Sequence, residues 1–305
     1  MALLSRHGLR TGRSGATIAC TPRPRRFQVL RIRVNERTVE VPEGSRVGDL
    51  RDRFKPGADV LVRNGFPARA EEPVRPGDEI VLIRRGEVPS AEEMEALLVA
   101  RHTPGVHDRV KRACVGIAGL GGLGSQVAVA LARTGFGRLV LADFDVVEPS
   151  NLNRQQYFVD QIGLPKVEAL AHNLRRINPY VDLELRPVRL TPANVPEVFQ
   201  DCLVVVEAFD RADQKAMLVE TVLARMPNTW IVAASGLAGY GPSDAIRTHR
   251  VAPRLFVVGD LESEARPGVG LMAPRVGVAA HAQANLVLRL VLGEEKASGG
   301  NHASL

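Results

Sequence analysis

The sequence has 305 residues, 45% of them hydrophobic, which is enough to bury the core of one large domain and a smaller one. Its formal net charge is +6, but residues 1–26 contain six arginines and no acidic residue. The rest of the chain is therefore balanced, with no basic bias toward nucleic acid. No apolar run is long enough to cross a bilayer, which predicts a soluble protein without a membrane partner. The three cysteines are widely separated, which excludes a disulfide framework and a CxxC zinc site and favours a reducing cytoplasm.

Both ends of the sequence are predicted to be tails. Residues 1–26 are predicted to form a basic disordered tail, although their arginine-rich composition also fits a targeting segment. Residues 294–305 are predicted to form a polar tail.

Residues 27–86 are predicted to form a small β-grasp domain. Apolar residues alternate from Leu30 to Val34 and again at Val39 and Val41, which predicts a β-hairpin. A short helix and two further strands follow, at 48–54, 59–62 and 80–83. The segments VNERTVEVPEGSRVGDL, VLVRNGFPA and PGDEIVLIRRGE resemble a ThiS-type, ubiquitin-like sulfur carrier.

The resemblance implies a carrier that has lost its function. Carriers of this type work through a free C-terminal Gly-Gly, whereas this segment reads Arg85-Gly86-Glu87 and continues into more chain. We interpret it as a degenerate carrier that serves as a scaffold or docking element. Residues 87–105 are predicted to be a linker helix, because Ser90 and Glu93 form a capping box.

Residues 106–293 begin with a predicted βαβ unit for binding a nucleotide. An apolar strand at 115–117 leads into a glycine turn, then a helix over 125–133 and an apolar run over 139–141 that ends near Asp143. The turn contains Gly119, Gly121, Gly122 and Gly124. These glycines let the backbone approach phosphate, the helix N-terminus supplies N–H groups, and Asp143 can accept from ribose hydroxyls. An NAD enzyme and an ATP enzyme fit this stretch equally well.

The rest of this region alternates strands and helices, which predicts a doubly wound, mostly parallel, Rossmann-like α/β sheet. The predicted elements are a helix at 167–177, strands at 182–189 and 202–208, a helix at 214–226, a strand at 230–234 and a final helix at 279–292. Residues 235–275 are rich in glycine and proline and are predicted to form a mobile cover.

Polar residues beyond the βαβ unit suit a triphosphate. They are Asp145, Ser150, Asn151, Arg154 and Lys166. The two cations can bind phosphate oxygens and offset charge that develops at the α-phosphorus. Asp210 ends an apolar strand, at the carboxyl edge of the predicted sheet, where it can hold Mg²⁺. A carboxylate substrate is already a nucleophile and needs no catalytic base.

The motifs GLGGLGS, LVLADFDVVEPSNLNRQ, GLPKVEAL, INP and VVVEAFD together resemble the ThiF/MoeB/HesA family over residues 106–293. The resemblance implies a homodimer that uses ATP and Mg²⁺ to adenylate the C-terminal glycine of a ubiquitin-like carrier ending in Gly-Gly. Nucleotide contacts are implied for Gly119, Gly121, Gly122, Gly124, Asp143, Ser150, Asn151, Arg154 and Lys166. Catalytic roles are implied for Arg154, Lys166 and Asp210, the last of which places the metal. The family also brings an arginine from an N-terminal helix, for which Arg101, Arg109 and Arg112 are candidates.

The sequence departs from the family pattern in its cysteines. Many relatives carry two CxxC pairs for a structural zinc, which this chain lacks, so no zinc is expected. Residues 235–275 also lack the reactive cysteine that several relatives carry. Cys114 and Cys202 start apolar runs and are interpreted as core packing. The pattern therefore supports acyl-adenylate formation but not a thioester or persulfide step.

The expected function is adenylation of a separate ThiS-like sulfur carrier in thiamine biosynthesis. Within the family, an activator for molybdopterin synthesis or tRNA modification is the alternative. The glycine motif alone also fits a nicotinamide-dependent oxidoreductase. A carrier-docking protein without turnover is a further hypothesis.

Overall fold

The computed structural model of the protein describes residues 28–103 and 105–294, and the chain divides after Glu87 into two units. The predicted basic tail and all but the first residue of the predicted polar tail lie outside the described residues. Among the described helices, none combines the length and apolar character that a membrane crossing requires.

The first unit contains a mixed sheet and one helix. Its described elements are β1 (Val29–Val34), β2 (Arg37–Pro42), α1 (Val47–Phe54), β3 (Val60–Arg63), β4 (Phe66–Pro67) and β5 (Glu79–Ile83). The strand order is β2-β1-β5-β3-β4, with β1 and β5 parallel and the other neighbours antiparallel. Leu30, Ile32 and Val34 are buried and alternate with exposed residues, and α1 packs Val47 and Leu50 into the same core. The predicted β-grasp fold is confirmed.

The second unit contains a larger sheet with helices on both faces. Its described helices are α2 (Ala91–His102), α3 (Val106–Arg112), α4 (Gly122–Thr134), α5 (Lys166–Ile177), α6 (Val195–Val198), α7 (Ala212–Arg225) and α8 (Ala273–Val291). Its described strands are β6 (Cys114–Ala118), β7 (Arg138–Ala142), β8 (Asp182–Arg186), β9 (Val204–Glu207), β10 (Trp230–Ala234), β11 (Arg247–Ala252) and β12 (Leu255–Gly259).

The large sheet is doubly wound, as predicted. Its strand order is β11-β12-β10-β9-β6-β7-β8, and every neighbouring pair is parallel except β11 with β12. Val204 and Val206 face one core cluster, with α4, α5 and α8, whereas Val205 faces a second cluster, with α6 and α7. Because both faces are covered, the central strands have continuous apolar sequences.

The chain changes direction across the sheet between β6 and β9. From β6 it continues through β7 to β8 on one side, and from β9 through β10 to β12 on the other. In open parallel sheets, ligands bind outside the carboxyl ends of the strands at such a switch point. The glycine turn, which follows β6, and Asp210, which follows β9, therefore border one crevice.

Two predictions for the second unit need correction. The expectation of an irregular mobile cover over 235–275 was wrong for β11 and β12, which extend the sheet. Strand β11 is mostly exposed and polar, so its sequence carries no apolar signal. The last helix also begins earlier than predicted, at Ala273 rather than Ala279.

The helix predicted to link the domains is α2, and it packs on the second unit. Ser90 and Glu93 form the predicted capping box at its start. Leu98 lies against Gly135, which ends α4 in a left-handed conformation.

Candidate active site

The glycine turn between β6 and α4 lies directly against the segment that follows β9. Gly119 has a φ of +88°, and a β-carbon there would lie 3.0 Å from both the carbonyl oxygen of Ala208 and the ring of Phe209. A side chain would need a strained backbone and space that is already filled. Glycine at this position therefore allows the turn to contact the segment that carries Asp210.

The other glycines differ in their surroundings. A β-carbon on Gly124 would lie 1.9 Å from the carbonyl oxygen of Gly119, so the fold itself requires this glycine. A β-carbon on Gly122 would contact Val276 and the side-chain stem of Arg154, at 3.1 and 3.3 Å.

Gly121 is the open position of the turn. The nearest atom to a β-carbon there is Nε2 of Gln155, at 3.8 Å. Among the described residues, no side chain caps the N-terminus of α4, whose backbone N–H groups and helix dipole favour an anion. Gly121 therefore marks the place where phosphate can approach the helix.

Asp143, at the end of β7, holds the glycine turn in place. Its Oδ2 accepts from the backbone N–H of Leu120 at 2.6 Å, and its Oδ1 accepts from that of Asp145 at 2.8 Å. Burial raises the pKa of Asp143, while the positive charge of Lys166 and the two backbone N–H groups oppose the rise. The Tyr157 hydroxyl donates to the carbonyl oxygen of Leu120 at 2.8 Å. The Leu120 residue is thus held through both its N–H and its C=O.

Lys166, at the start of α5, is buried beside Asp145. Its Nζ donates to Oδ2 of Asp145 at 3.1 Å, and its backbone N–H donates to the Asp145 carbonyl oxygen at 2.9 Å. An ammonium group has three donors. Lys166 can therefore keep this ion pair and still bind a phosphate oxygen.

The segment that carries Arg154 is fastened to the first turns of α4. The hydroxyl of Ser125 accepts from the backbone N–H of Gln156 at 3.1 Å, and Nε2 of Gln126 donates to the Arg154 carbonyl oxygen at 3.1 Å. The guanidinium of Arg154 donates to Oδ1 of Asn153 at 2.8 Å. These contacts position Arg154 with its stem over Gly122 and its charge at the rim of the crevice.

Ser150 and Asn151 lie in a short 3₁₀ turn, Pro149–Asn151. Asn151 is buried, and its Oδ1 accepts from the backbone N–H of Glu148 at 3.1 Å, which shapes the turn. Ser150 is exposed, and its hydroxyl contacts Glu148 at 3.4 Å. Ser150 is therefore the more accessible of the two for a ligand.

Asp210 is exposed and makes no hydrogen bond within the part of the chain that the structure describes. A carboxylate in this position, at the same edge of the sheet as a helix N-terminus that favours an anion, is the kind of ligand that Mg²⁺ prefers. The residue fits its predicted role in metal binding.

The three candidate N-terminal arginines lie away from the crevice. Helix α3 carries Arg109 and Arg112 and directly precedes β6, at the amino edge of the sheet. Arg109 donates to the carbonyl oxygen of Leu292, just beyond α8, at 2.9 Å. Helix α2, which carries Arg101, packs on the end of α4 remote from the glycine turn. Within one chain the fold brings none of these arginines to the site.

Comparison with known families gives a match over both units. The model of the ThiF family matches residues 95–304, more than half of the chain, and a model described as ThiS-like ubiquitin matches residues 30–86. The chain belongs to the ThiF family.

Two curated relatives show the extent of the similarity. "Adenylyltransferase and sulfurtransferase UBA4" of Eremothecium gossypii is 32% identical over 224 residues, which cover 68% of this chain and 49% of that protein. "Sulfur carrier protein adenylyltransferase" of Thermus thermophilus is 41% identical over 108 residues, which cover 35% of this chain and 40% of that protein. The chain thus spans less than half the length of each.

The ThiF fold is also seen in a solved structure. The crystal structure of E. coli tRNA N6-threonylcarbamoyladenosine dehydratase, TcdA, in complex with ATP matches with a TM-score of 0.61 at 24% identity. The match covers 68% of this chain and 98% of that one. At this identity the likeness shows a shared fold.

Sequence reasoning on this ThiF-family chain missed an ion pair beside Asp210, between a buried glutamate and a partly exposed lysine. Glu207 ends β9 and is completely buried, and its two oxygens each accept from Nζ of Lys215 at 3.0 Å. Glu207 also accepts from the backbone N–H of Phe209 at 2.7 Å, and Lys215 donates to the carbonyl oxygen of Ala234 at 3.0 Å. The pair therefore fixes the segment that leads to Asp210. The signal in the sequence was the acidic residue within the apolar run VVVEAFD, because a buried charge needs a partner of opposite charge.

Gln155 is a second missed residue. It is 8% exposed, and its Oε1 has no hydrogen-bond partner in the described part of the chain. Buried polar atoms are rarely unpaired. The nitrogen of the same amide, Nε2, is the atom nearest to a β-carbon on Gly121, so this side chain lies at the place where phosphate can approach. Its position next to Arg154 in the motif NRQ was the available signal.

We expect Gly121→Ala to retain the fold and to weaken ATP binding, because the new methyl group fills the open side of the turn. Gly124→Ala is the matched control. Its methyl group overlaps the Gly119 carbonyl oxygen, and it should lower the free energy of unfolding toward the upper end of about 1–3 kcal/mol. Urea unfolding and calorimetric ATP titration measure the two effects. Unchanged ATP affinity in Gly121→Ala would contradict the assignment of this position.

We expect Lys215→Met to destabilise the protein by about 3–5 kcal/mol near neutral pH, because it leaves the Glu207 carboxylate buried without a cation. Burial already raises the pKa of Glu207, and Lys215 opposes that rise. Without Lys215, the pKa of Glu207 in the folded state rises further above its value in the unfolded state. The variant should therefore lose more stability than wild type as pH rises above about 4.5.

Urea unfolding of wild type and Lys215→Met at pH 5 and pH 8 measures this effect. The double variant Glu207→Gln/Lys215→Met is the control and should recover much of the stability, with the additional pH dependence removed. A Lys215→Met variant that is as stable as wild type at pH 8 is incompatible with the buried pair.

Proposed function

We propose that the protein is an ATP-dependent adenylyltransferase that activates the C-terminal glycine carboxylate of a small ubiquitin-like sulfur carrier. The product is an acyl-adenylate, and pyrophosphate is released. The observation that carries the proposal is the crevice at the switch point, where the uncapped N-terminus of α4, Arg154 and Lys166 border the glycine turn. Two relatives named as adenylyltransferases and the ATP complex of the TcdA fold relative support it.

The proposed reaction needs positioning and charge neutralisation rather than a base. The carrier carboxylate attacks the α-phosphorus of ATP, the bond from that phosphorus to its bridging oxygen breaks, and pyrophosphate leaves. Arg154 and Lys166 bind phosphate oxygens and offset the charge that builds up there. Asp143 accepts from ribose hydroxyls, and the turn that contains Ser150 and Asn151 contacts ribose and phosphate.

Asp210 is proposed to hold Mg²⁺ together with phosphate oxygens of the nucleotide. Its exposed carboxylate makes no hydrogen bond in the described residues, and the preceding residue, Phe209, is held through its backbone N–H by Glu207. When bound, the ion would supply positive charge that offsets the charge of the phosphates.

The carrier is proposed to be a separate protein that ends in Gly-Gly, and thiamine biosynthesis in the cytoplasm is the proposed setting. The first unit of this chain continues from Gly86 into Glu87 and cannot present a carboxylate, so a scaffolding or docking role is proposed for it. A homodimer is proposed because the candidate arginines Arg109 and Arg112 lie at the amino edge of their own sheet, and a second copy would bring an N-terminal arginine to the nucleotide.

Exchange of labelled pyrophosphate into ATP tests the proposed activity. We expect exchange that depends on the host's free ThiS-like carrier ending in Gly-Gly, because formation of the acyl-adenylate is reversible. A carrier that lacks the final glycine is the control and should give none. Carrier binding without exchange would favour a docking protein, and binding of NADH without ATP would favour an oxidoreductase.

We expect Arg154→Ala and Asp210→Ala each to lower carrier-dependent exchange by at least about 100-fold, because each removes a group that balances phosphate charge. Thermal unfolding should change little, since both side chains lie at the rim of the crevice. Arg175→Ala and Asp108→Ala are matched controls that remove exposed charges elsewhere. Near-wild-type exchange in either site variant would refute the role given to that residue.

A further inference from the structure

Two cysteines meet at the edge of the large sheet opposite the glycine turn. Cys114 is the first residue of β6, and Cys202 lies just before β9, the parallel neighbour of β6. Their Sγ atoms are 3.5 Å apart. Cys202 is 3% exposed and belongs to the core, as expected, whereas Cys114 is only partly buried at the edge of that core.

The backbone holds the two residues in this arrangement. The backbone N–H of Leu203 donates to the carbonyl oxygen of Cys114 at 3.1 Å. The hydroxyl of Thr229 donates to the carbonyl oxygen of Cys202 at 3.0 Å. A disulfide has an S–S distance of about 2.05 Å. The sulfur atoms therefore need to approach by roughly 1.5 Å, a movement within the reach of side-chain rotation in neighbouring strands.

The surroundings give the two thiols different reactivities. The hydrogen bond shared with Cys202 and the positive charge of Arg138, the cross-strand partner of Cys114, lower the pKa of Cys114 against the effects of burial, Asp201 and Glu184. The same hydrogen bond, together with burial, raises the pKa of Cys202. Cys114 is also the more exposed of the two, so it is the thiol that a reagent from solvent reaches first.

We propose that Cys114 and Cys202 form a reversible oxidation site, at which hydrogen peroxide converts the two thiols into an intramolecular disulfide. The Cys114 thiolate attacks one peroxide oxygen, an S–O bond forms, the O–O bond breaks, and hydroxide leaves and is protonated to water. Cys202 loses its proton and attacks the Cys114 sulfur. The S–S bond forms, the S–O bond breaks, and the second hydroxide takes up that proton as water. The two thiols lose two electrons, and the peroxide is reduced to two molecules of water.

Peroxide treatment of the full chain carrying Cys20→Ser tests the proposal. We expect both remaining thiols to disappear together, the mass to fall by two hydrogen atoms, and dithiothreitol to restore both. After trypsin digestion, the peptide 113–133 should be found linked to the peptide 190–211. This readout is the covalent state of the chain, so it is independent of the proposed adenylation.

Single variants separate the steps. In Cys202→Ala, Cys114 should stop at the sulfenic acid, which dimedone traps. In Cys114→Ala, Cys202 should stay reduced at the same peroxide concentration, because it is buried. Circular dichroism checks that each variant is folded. If a variant unfolds, the linked peptide in the parent chain decides the question alone.

Three results would overturn the proposal. The first is two unreacted thiols at a peroxide concentration that oxidises free glutathione. The second is conversion of Cys114 to the sulfinic acid with Cys202 still reduced. The third is a disulfide that joins two chains.

Discussion

The contact between the turn after β6 and the segment after β9 sets the geometry of the whole crevice. Gly119 can approach Ala208 and Phe209 only because it has no side chain and tolerates a left-handed backbone. This approach places the N-terminus of α4 beside the segment that carries Asp210. Strand order alone would place the N-terminus of α4 and Asp210 after adjacent strands, but it would not fix the distance between them. The backbone contact fixes the distance between the two segments, and so defines the dimensions of the site.

Buried polar groups then make that geometry rigid. Asp143 and Tyr157 hold the Leu120 residue through its N–H and its C=O, and Glu207 with Lys215 holds the segment before Asp210. Removing such groups from water is costly, and their hydrogen bonds and ion pairs offset that cost only in one arrangement. Because this frame is already ordered, less of the free energy of nucleotide binding is lost in ordering the loops around the ligand.

The sequence predicted those features whose signals are local. Continuous apolar runs mark strands covered on both faces, and alternating residues such as Leu30 and Ile32 mark the small mixed sheet. Strand β11 gave no signal because most of its side chains are exposed. The different surroundings of Gly121 and Gly124, and the partner of Glu207, depend on chain segments that meet only after folding. The roles of the site residues in binding and catalysis stay predictions.

The two outer strands of the large sheet, β8 and β11, carry charges along their length. Asp182, Glu184 and Arg186 lie on β8, and Arg247 and Arg250 lie on β11. An outer strand has backbone groups that another chain can pair with, and its charges would lose their hydration if that pairing occurred. A sheet of mostly parallel strands forms slowly, through distant contacts that leave partly folded copies exposed to one another. The charges on β8 and β11 therefore disfavour pairing of two such copies through these strands.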